Sequence, residues 1–207
     1  MRDTQTLLTA LAVAILFAVL VYLFLKYRPR KAEAERRRVS RALRSFAKPR
    51  GFRVLDRATL VHDGRSGWAD HIVVGYFGVL LVYDLYMPGE YYGAPNDETW
   101  RVFADGKWYA MTNPVPPSIQ CEGRVRTLCK DNGMKVDVER VVVVTGDRKK
   151  TLIQGLKCPG VVKLSDLRGE VLSKERFDQD RGVDIEKVAA LLESARAKDE
   201  EKDGKAS

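Results

Sequence analysis

The chain has 207 residues, with 36 Lys and Arg against 28 Asp and Glu, a formal net charge of +8, and three cysteines. Cys121, Cys129 and Cys158 are odd in number and contain no CxxC pair, which argues against a disulfide framework and points to free thiols in a reducing compartment. Only His62 and His71 are histidines and no ligand spacing is clustered, so a zinc centre is not expected; the basicity, concentrated near the N-terminus, implies no function by itself.

After a short segment (1–5), the run TLLTALAVAILFAVLVYLFL from Thr6 to Leu25 carries no charge. As a helix, roughly 20 residues rising ~1.5 Å each cover the ~30 Å hydrocarbon core of a bilayer. The flank MRDTQ offsets its one Arg with an Asp, and the run ends in large residues, unlike a cleaved signal peptide. A transmembrane helix over 6–25 is therefore expected. Lys26, Arg28, Arg30 and Lys31 follow it, then Arg36, Arg37 and Arg38. Cationic flanks stay cytoplasmic, so the N-terminus is expected outside and the main body inside the cell membrane, as a single-pass protein.

A basic juxtamembrane helix is expected within 26–47, with Val39, Leu43 and Phe46 as a narrow apolar stripe, ended by Lys48-Pro-Arg-Gly51. Strand-like runs follow at 52–55, 58–62, 68–75 and 78–84, with DGRSG (63–67) as one turn and Tyr76-Phe77-Gly78 as the next. A hairpin is expected around Ala104-Asp-Gly106. Asn113-Pro-Val-Pro-Pro117 reads as a rigid linker before a helix from about Ser118 to Asn132. The valines of RVVVVTG (140–146) mark a buried strand, and VVKL (161–164) a weaker one. Ser165 could cap a short helix ending near Leu172, a closing amphipathic helix covers 182–197, and the charged tail 198–207 reads as disordered. The order describes an α/β (α+β) domain around one mixed sheet, with helices flanking it.

The segments FRVLDRATL (52–60), ADHIVVGYFGVLLV (69–82), GEYYG (89–93), Trp100, KWYAMTNP (107–114), QCEGRVRTL (120–128) and VERVVVVTG (138–146) resemble, in order, the NERD (nuclease-related) domain family. A three-residue insertion, about Pro-Pro-Ser, separates Pro114 from Gln120. The resemblance implies a NERD-like domain over 48–175 with a PD-(D/E)xK, restriction-endonuclease-like core. In that core one strand supplies an Asp and the next a Glu and a Lys two residues apart. Carboxylates on adjacent strands hold Mg²⁺, which lowers the pKa of a bound water, and the lysine shares their face.

Carried over by position, the family's Asp matches Asp70, a metal ligand or its relic. The Glu and Lys positions hold Tyr83 and Leu85. Asp84 lies one residue out of phase and faces the opposite side of the sheet unless a β-bulge near Tyr83 turns it. Asp70 could instead pair with Arg65. His71 reads as a packed strand histidine facing away from Asp70, and Gln120, with Glu122, opens the helix after the core. Arg124, Arg126 and Trp108, with Trp100 and Tyr109, are the candidate nucleic-acid contacts.

The expectation is a membrane-tethered, nuclease-like domain with a degenerate site, which binds nucleic acid, DNA or RNA, or scaffolds without cleaving and needs no cofactor. Two alternatives stand beside it. One is an active Mg²⁺-dependent nuclease with a site rearranged around Asp70 and Asp84, with Glu90 or Glu98. The other is a membrane-surface domain with a protein partner and no nucleic acid.

Overall fold

A computed structural model describes residues 31–147 and 149–197. The apolar run 6–25, the flanking Lys26, Arg28 and Arg30, and the tail 198–207 lie outside the described residues. Among those described, no helix is long and apolar enough to cross a membrane. The chain divides into two units, Met1–Ala34 and Glu35–Ser207, and the second carries the fold.

Helix α1 (Lys31–Ala47) buries Val39, Leu43, Phe46 and Ala47, the stripe that helical spacing assigns to one face. Pro49 and left-handed Gly51 end it through a single 3₁₀ turn (Lys48–Arg50). Strand β1 (Arg53–His62) is one continuous strand rather than two. It turns at Asp63-Gly64, whose positive φ values of 48° and 69° are those of a type I′ hairpin. This tight turn lets β2 (Arg65–Gly75) begin inside the expected loop. A second two-residue turn, Tyr76-Phe77, leads to β3 (Gly78–Tyr86).

The domain has two sheets, not one. Strands β4 (Glu90–Gly93), β5 (Thr99–Ala104) and β6 (Lys107–Thr112) leave the first sheet, and β8 (Leu152–Leu156) joins them in the order β6-β5-β4-β8. The first sheet has the order β1-β2-β3-β7-β9, with β7 (Val138–Thr145) and β9 (Val161–Lys163) parallel to β3. Glu90-Tyr91-Tyr92 pairs with β5 on one side and β8 on the other. The apolar side of the second sheet closes a separate small core of Tyr91, Trp100, Val102, Val115 and Val144.

Helix α2 (Val115–Asp131) connects the sheets and forms the crossover from β3 towards parallel β7. It starts three residues before the expected Ser118. Buried Asn113 accepts the Val115 N–H at 2.9 Å, and prolines tolerate a first turn because the N–H they lack has no partner there. Pro116, Pro117 and Ser118 thus belong to the helix instead of to a linker. After β9 the chain makes a π-helical turn (Leu167–Leu172) that Ser165 does not cap. Helix α3 (Ile185–Ser194) follows, capped by the Asp184 carboxylate on the Lys187 N–H.

Candidate functional site

The β2–β3 ladder runs from Gly75↔Gly78 to His71↔Val82 and stops there. Asp70 occupies the gap that opens next. Its Oδ2 accepts the Asp84 backbone N–H at 2.9 Å, and its Oδ1 lies 3.1 Å from Arg36 Nη2 of α1. The residue is 4% exposed. A carboxylate this buried needs its charge answered inside the protein, and here a guanidinium answers it. The partner is Arg36, not Arg65, because α1 lies over the strand ends.

Strand β3 pairs with β7 in unbroken register from Val79↔Val138 to Tyr86↔Thr145. No bulge occurs at Tyr83, so alternation keeps the side chains of Tyr83 and Asp84 on opposite faces. Tyr83 is 1% exposed; its ring meets Trp68 edge-on, with centroids 5.3 Å apart. Its hydroxyl faces the Cys121 thiol of α2 without a hydrogen bond of ordinary geometry, and burial pushes the phenol far up. Burial likewise raises the Cys121 thiol. Leu85 packs between the two apolar cores. A bulky phenol and an aliphatic chain thus occupy the positions where the resemblance leads one to expect a Glu and a Lys.

Asp84 instead meets His71. His71 Nε2 is 2.8 Å from Asp84 Oδ2, and Nδ1 is 2.5 Å from Asp56 Oδ1. Ser40 Oγ of α1 donates to Asp56 at 3.1 Å, and Arg44 adds an ion pair to the same carboxylate. With a carboxylate at each ring nitrogen, only the doubly protonated imidazolium can donate to both. Burial alone would lower the His71 pKa, but the bonds to Asp56 and Asp84 outweigh it and hold it up to about 9. Burial raises Asp84 despite its bond to His71. Burial also opposes the ionised form of Asp56, yet His71 and Arg44 hold that carboxyl well below the usual range. Asp84 Oδ1 is buried without a hydrogen-bond partner. His71 is therefore a packed strand histidine, as its alternation implies, and also the centre of a charged relay between α1 and β3.

Gln120 and Arg124 on α2 point into an open cleft of about 830 Å³, lined also by His62, Asp63, Arg65 and Thr127. Both also line an adjoining hollow with Thr59, Ser66 and Trp68. Arg124 and Arg65 have no ion-pair partner among the described residues, whereas Arg126 is held by Glu122 at 2.6 Å, which also pairs with Arg140. Trp108 is 58% exposed, on the outer face of the second sheet beside Phe103 and Tyr92. Tyr109 is half-open on the opposite face of β6. Trp100 is fully buried, with Nε1 donating to the Ala94 carbonyl, so it is packing and cannot stack on a base.

A family model described as NERD, nuclease-related domain, matches residues 30–145, more than half of the chain. The chain belongs to the NERD family. No curated protein and no solved structure matches it. The NERD match takes in α1, whose Arg36, Ser40 and Arg44 all reach the site, and membership carries with it a nuclease-like fold of mixed sheets flanked by helices.

Sequence reasoning missed Arg36 and Asp56. Asp56 was within reach: 56 and 71 lie symmetrically about the Asp63-Gly64 turn, so a tight hairpin sets them opposite each other. Arg36 left no such signal, because a basic helix next to an apolar run has a sufficient topological explanation.

Proposed function

We propose that this NERD protein is a membrane-tethered module whose nuclease-like domain does not cleave, and which binds nucleic acid or scaffolds at the cytoplasmic surface. The observation that carries the reading is the state of Asp70. One oxygen is bound to Arg36, the other to a backbone N–H, and Tyr83 fills the position of the missing carboxylate. Mg²⁺ takes about six oxygen ligands and is held by one or two carboxylates plus substrate phosphates. At Asp70 it would have to displace a guanidinium, and the β3 position beside it that would supply the second acid holds Tyr83. The order helix, three-strand meander, helix, parallel strand supports a restriction-endonuclease-like core, and the apolar run 6–25 with its basic flank supports the tether.

The nucleic-acid face in this reading is the cleft of Gln120, Arg124 and Arg65 with Trp68 beside it. Unpaired arginines suit phosphates, and an exposed indole suits a base. The full-length protein is expected to leave plasmid and single-stranded DNA intact with Mg²⁺ or Mn²⁺, while retaining salt-dependent affinity. Cleavage abolished by Asp70→Ala would overturn the non-cleaving part. Affinity that is absent or flat with salt would move the reading to a protein partner, for which the exposed ring cluster of Tyr92, Phe103 and Trp108 is the available surface.

A further inference from the structure

We propose that His62, Asp63 and Asp131 form a binding site for a divalent transition-metal ion of the zinc class, separate from Asp70. Among the described residues this is the group whose nitrogen and carboxylate ligand atoms converge, all within 4.8 Å of one another. His62 Nε2 lies 2.8 Å from Asp131 Oδ2 and 3.6 Å from Asp63 Oδ2. Zinc bound by nitrogen and oxygen at ~2.0–2.2 Å holds neighbouring tetrahedral donors roughly 3.4 Å apart. The observed separations bracket that value, so small side-chain rotations bring the three donors onto one ion.

The charges point the same way. Two carboxylates face a single ring nitrogen, which carries at most one proton between them. Neither Asp63 nor Asp131 has another ion-pair partner among the described residues. A neutral imidazole leaves two negative charges uncompensated across less than 5 Å, and a divalent cation in place of the shared proton removes that repulsion.

The backbone fixes the donors from three directions. His62 ends β1, Asp63 occupies the first position of the type I′ turn, and Asp131 closes α2. The imidazole and at least one carboxylate thus come from elements held by the sheet and the core, so little chain entropy is lost on binding. A histidine with two carboxylates favours zinc and its neighbours over magnesium, which prefers oxygen alone and keeps most of its water. Three protein ligands would leave one tetrahedral position open, and two of them, His62 and Asp63, line the cleft that also contains Arg65, Gln120 and Arg124. That position would take water or an anionic oxygen.

The test is calorimetric titration of the metal-free full-length protein with ZnCl₂, and separately with MgCl₂. His62→Ala, Asp131→Asn and Asp70→Asn variants are titrated in parallel, with circular dichroism confirming that each is folded. The expected result is one saturable zinc site per chain, weakened at least tenfold in both His62→Ala and Asp131→Asn, unchanged in Asp70→Asn, and without a magnesium counterpart. The proposal is overturned by no zinc binding to the wild type, by binding that survives both His62→Ala and Asp131→Asn (which would place the ion on the thiols), or by loss in Asp70→Asn.

Discussion

The relay centred on His71 predicts an unusual fall in stability on the alkaline side of neutrality. An imidazole whose pKa rises from 6.5 to about 9 on folding gains roughly 3 kcal/mol from its charged form in the native state. For a group raised on folding, that contribution is complete below the unfolded value, near pH 6.5, and disappears as the pH climbs through about 9. Urea unfolding followed by tryptophan fluorescence, with buried Trp100 as the reporter, measures it directly. Between pH 6.5 and pH 9.5 the wild type is expected to lose about 3 kcal/mol more than His71→Asn. The comparison matters because thiol ionisation contributes to both curves and cancels in their difference. His71→Asn also leaves Asp56 and Asp84 without the cation between them, so at pH 6.5 it should itself cost roughly 3 kcal/mol. Parallel pH profiles for the two proteins would refute the doubly hydrogen-bonded imidazolium.

Arg36→Ala strands the Asp70 carboxylate and is expected to cost about 1–3 kcal/mol, below the value for a fully buried pair because the Arg36 side chain is 36% exposed. If Arg36 occupies the place of a lost metal, Mg²⁺ should raise the melting temperature of Arg36→Ala more than that of the wild type; equal shifts would argue otherwise. Gly78→Ala should destabilise by about 2–4 kcal/mol in the same urea assay. An added Cβ would lie 2.2 Å from the Asp137 carbonyl oxygen at a φ of 122°, so a neutral result would show that the β3 entry relaxes. In filter binding with single-stranded DNA, Arg124→Ala should weaken affinity and reduce the salt slope by about 1. Arg126→Ala, whose guanidinium Glu122 already holds, should change it much less; reversed effects would relocate the nucleic-acid face.

Period and punctuation made most of the strands legible. Apolar runs bounded by turns marked β2 and β3, uninterrupted valines marked β7, and Asp63-Gly64 and Asp105-Gly106 announced their hairpins with the residues that accept positive φ. The second sheet was harder to see. Strands β4 and β8 have four and five residues, and they meet each other only across a long connection, Glu90 pairing with Leu152. The start of α2 was hidden by Pro116 and Pro117, which read as helix breakers unless Asn113 is known to cap the turn before them.

At the site, family resemblance singled out the positions of Tyr83 and Leu85, and both side chains are packed against the apolar cores. The charge balance was not legible, because it rests on separations no local pattern encodes. Arg36 meets Asp70 across 34 positions, and Asp131 meets His62 across 69. Sequence spacing finds ligands that share a turn or a helix face; it does not find those assembled by docking a helix on a sheet.

The Arg36–Asp70 pair has a consequence for how this domain endures in the cell. A fold whose central acid must borrow a cation from solution is at the mercy of the free-ion pool. Here the counter-charge is covalently part of the polypeptide and is supplied at synthesis. The charge that answers Asp70 in this fold therefore does not have to be drawn from the magnesium supply.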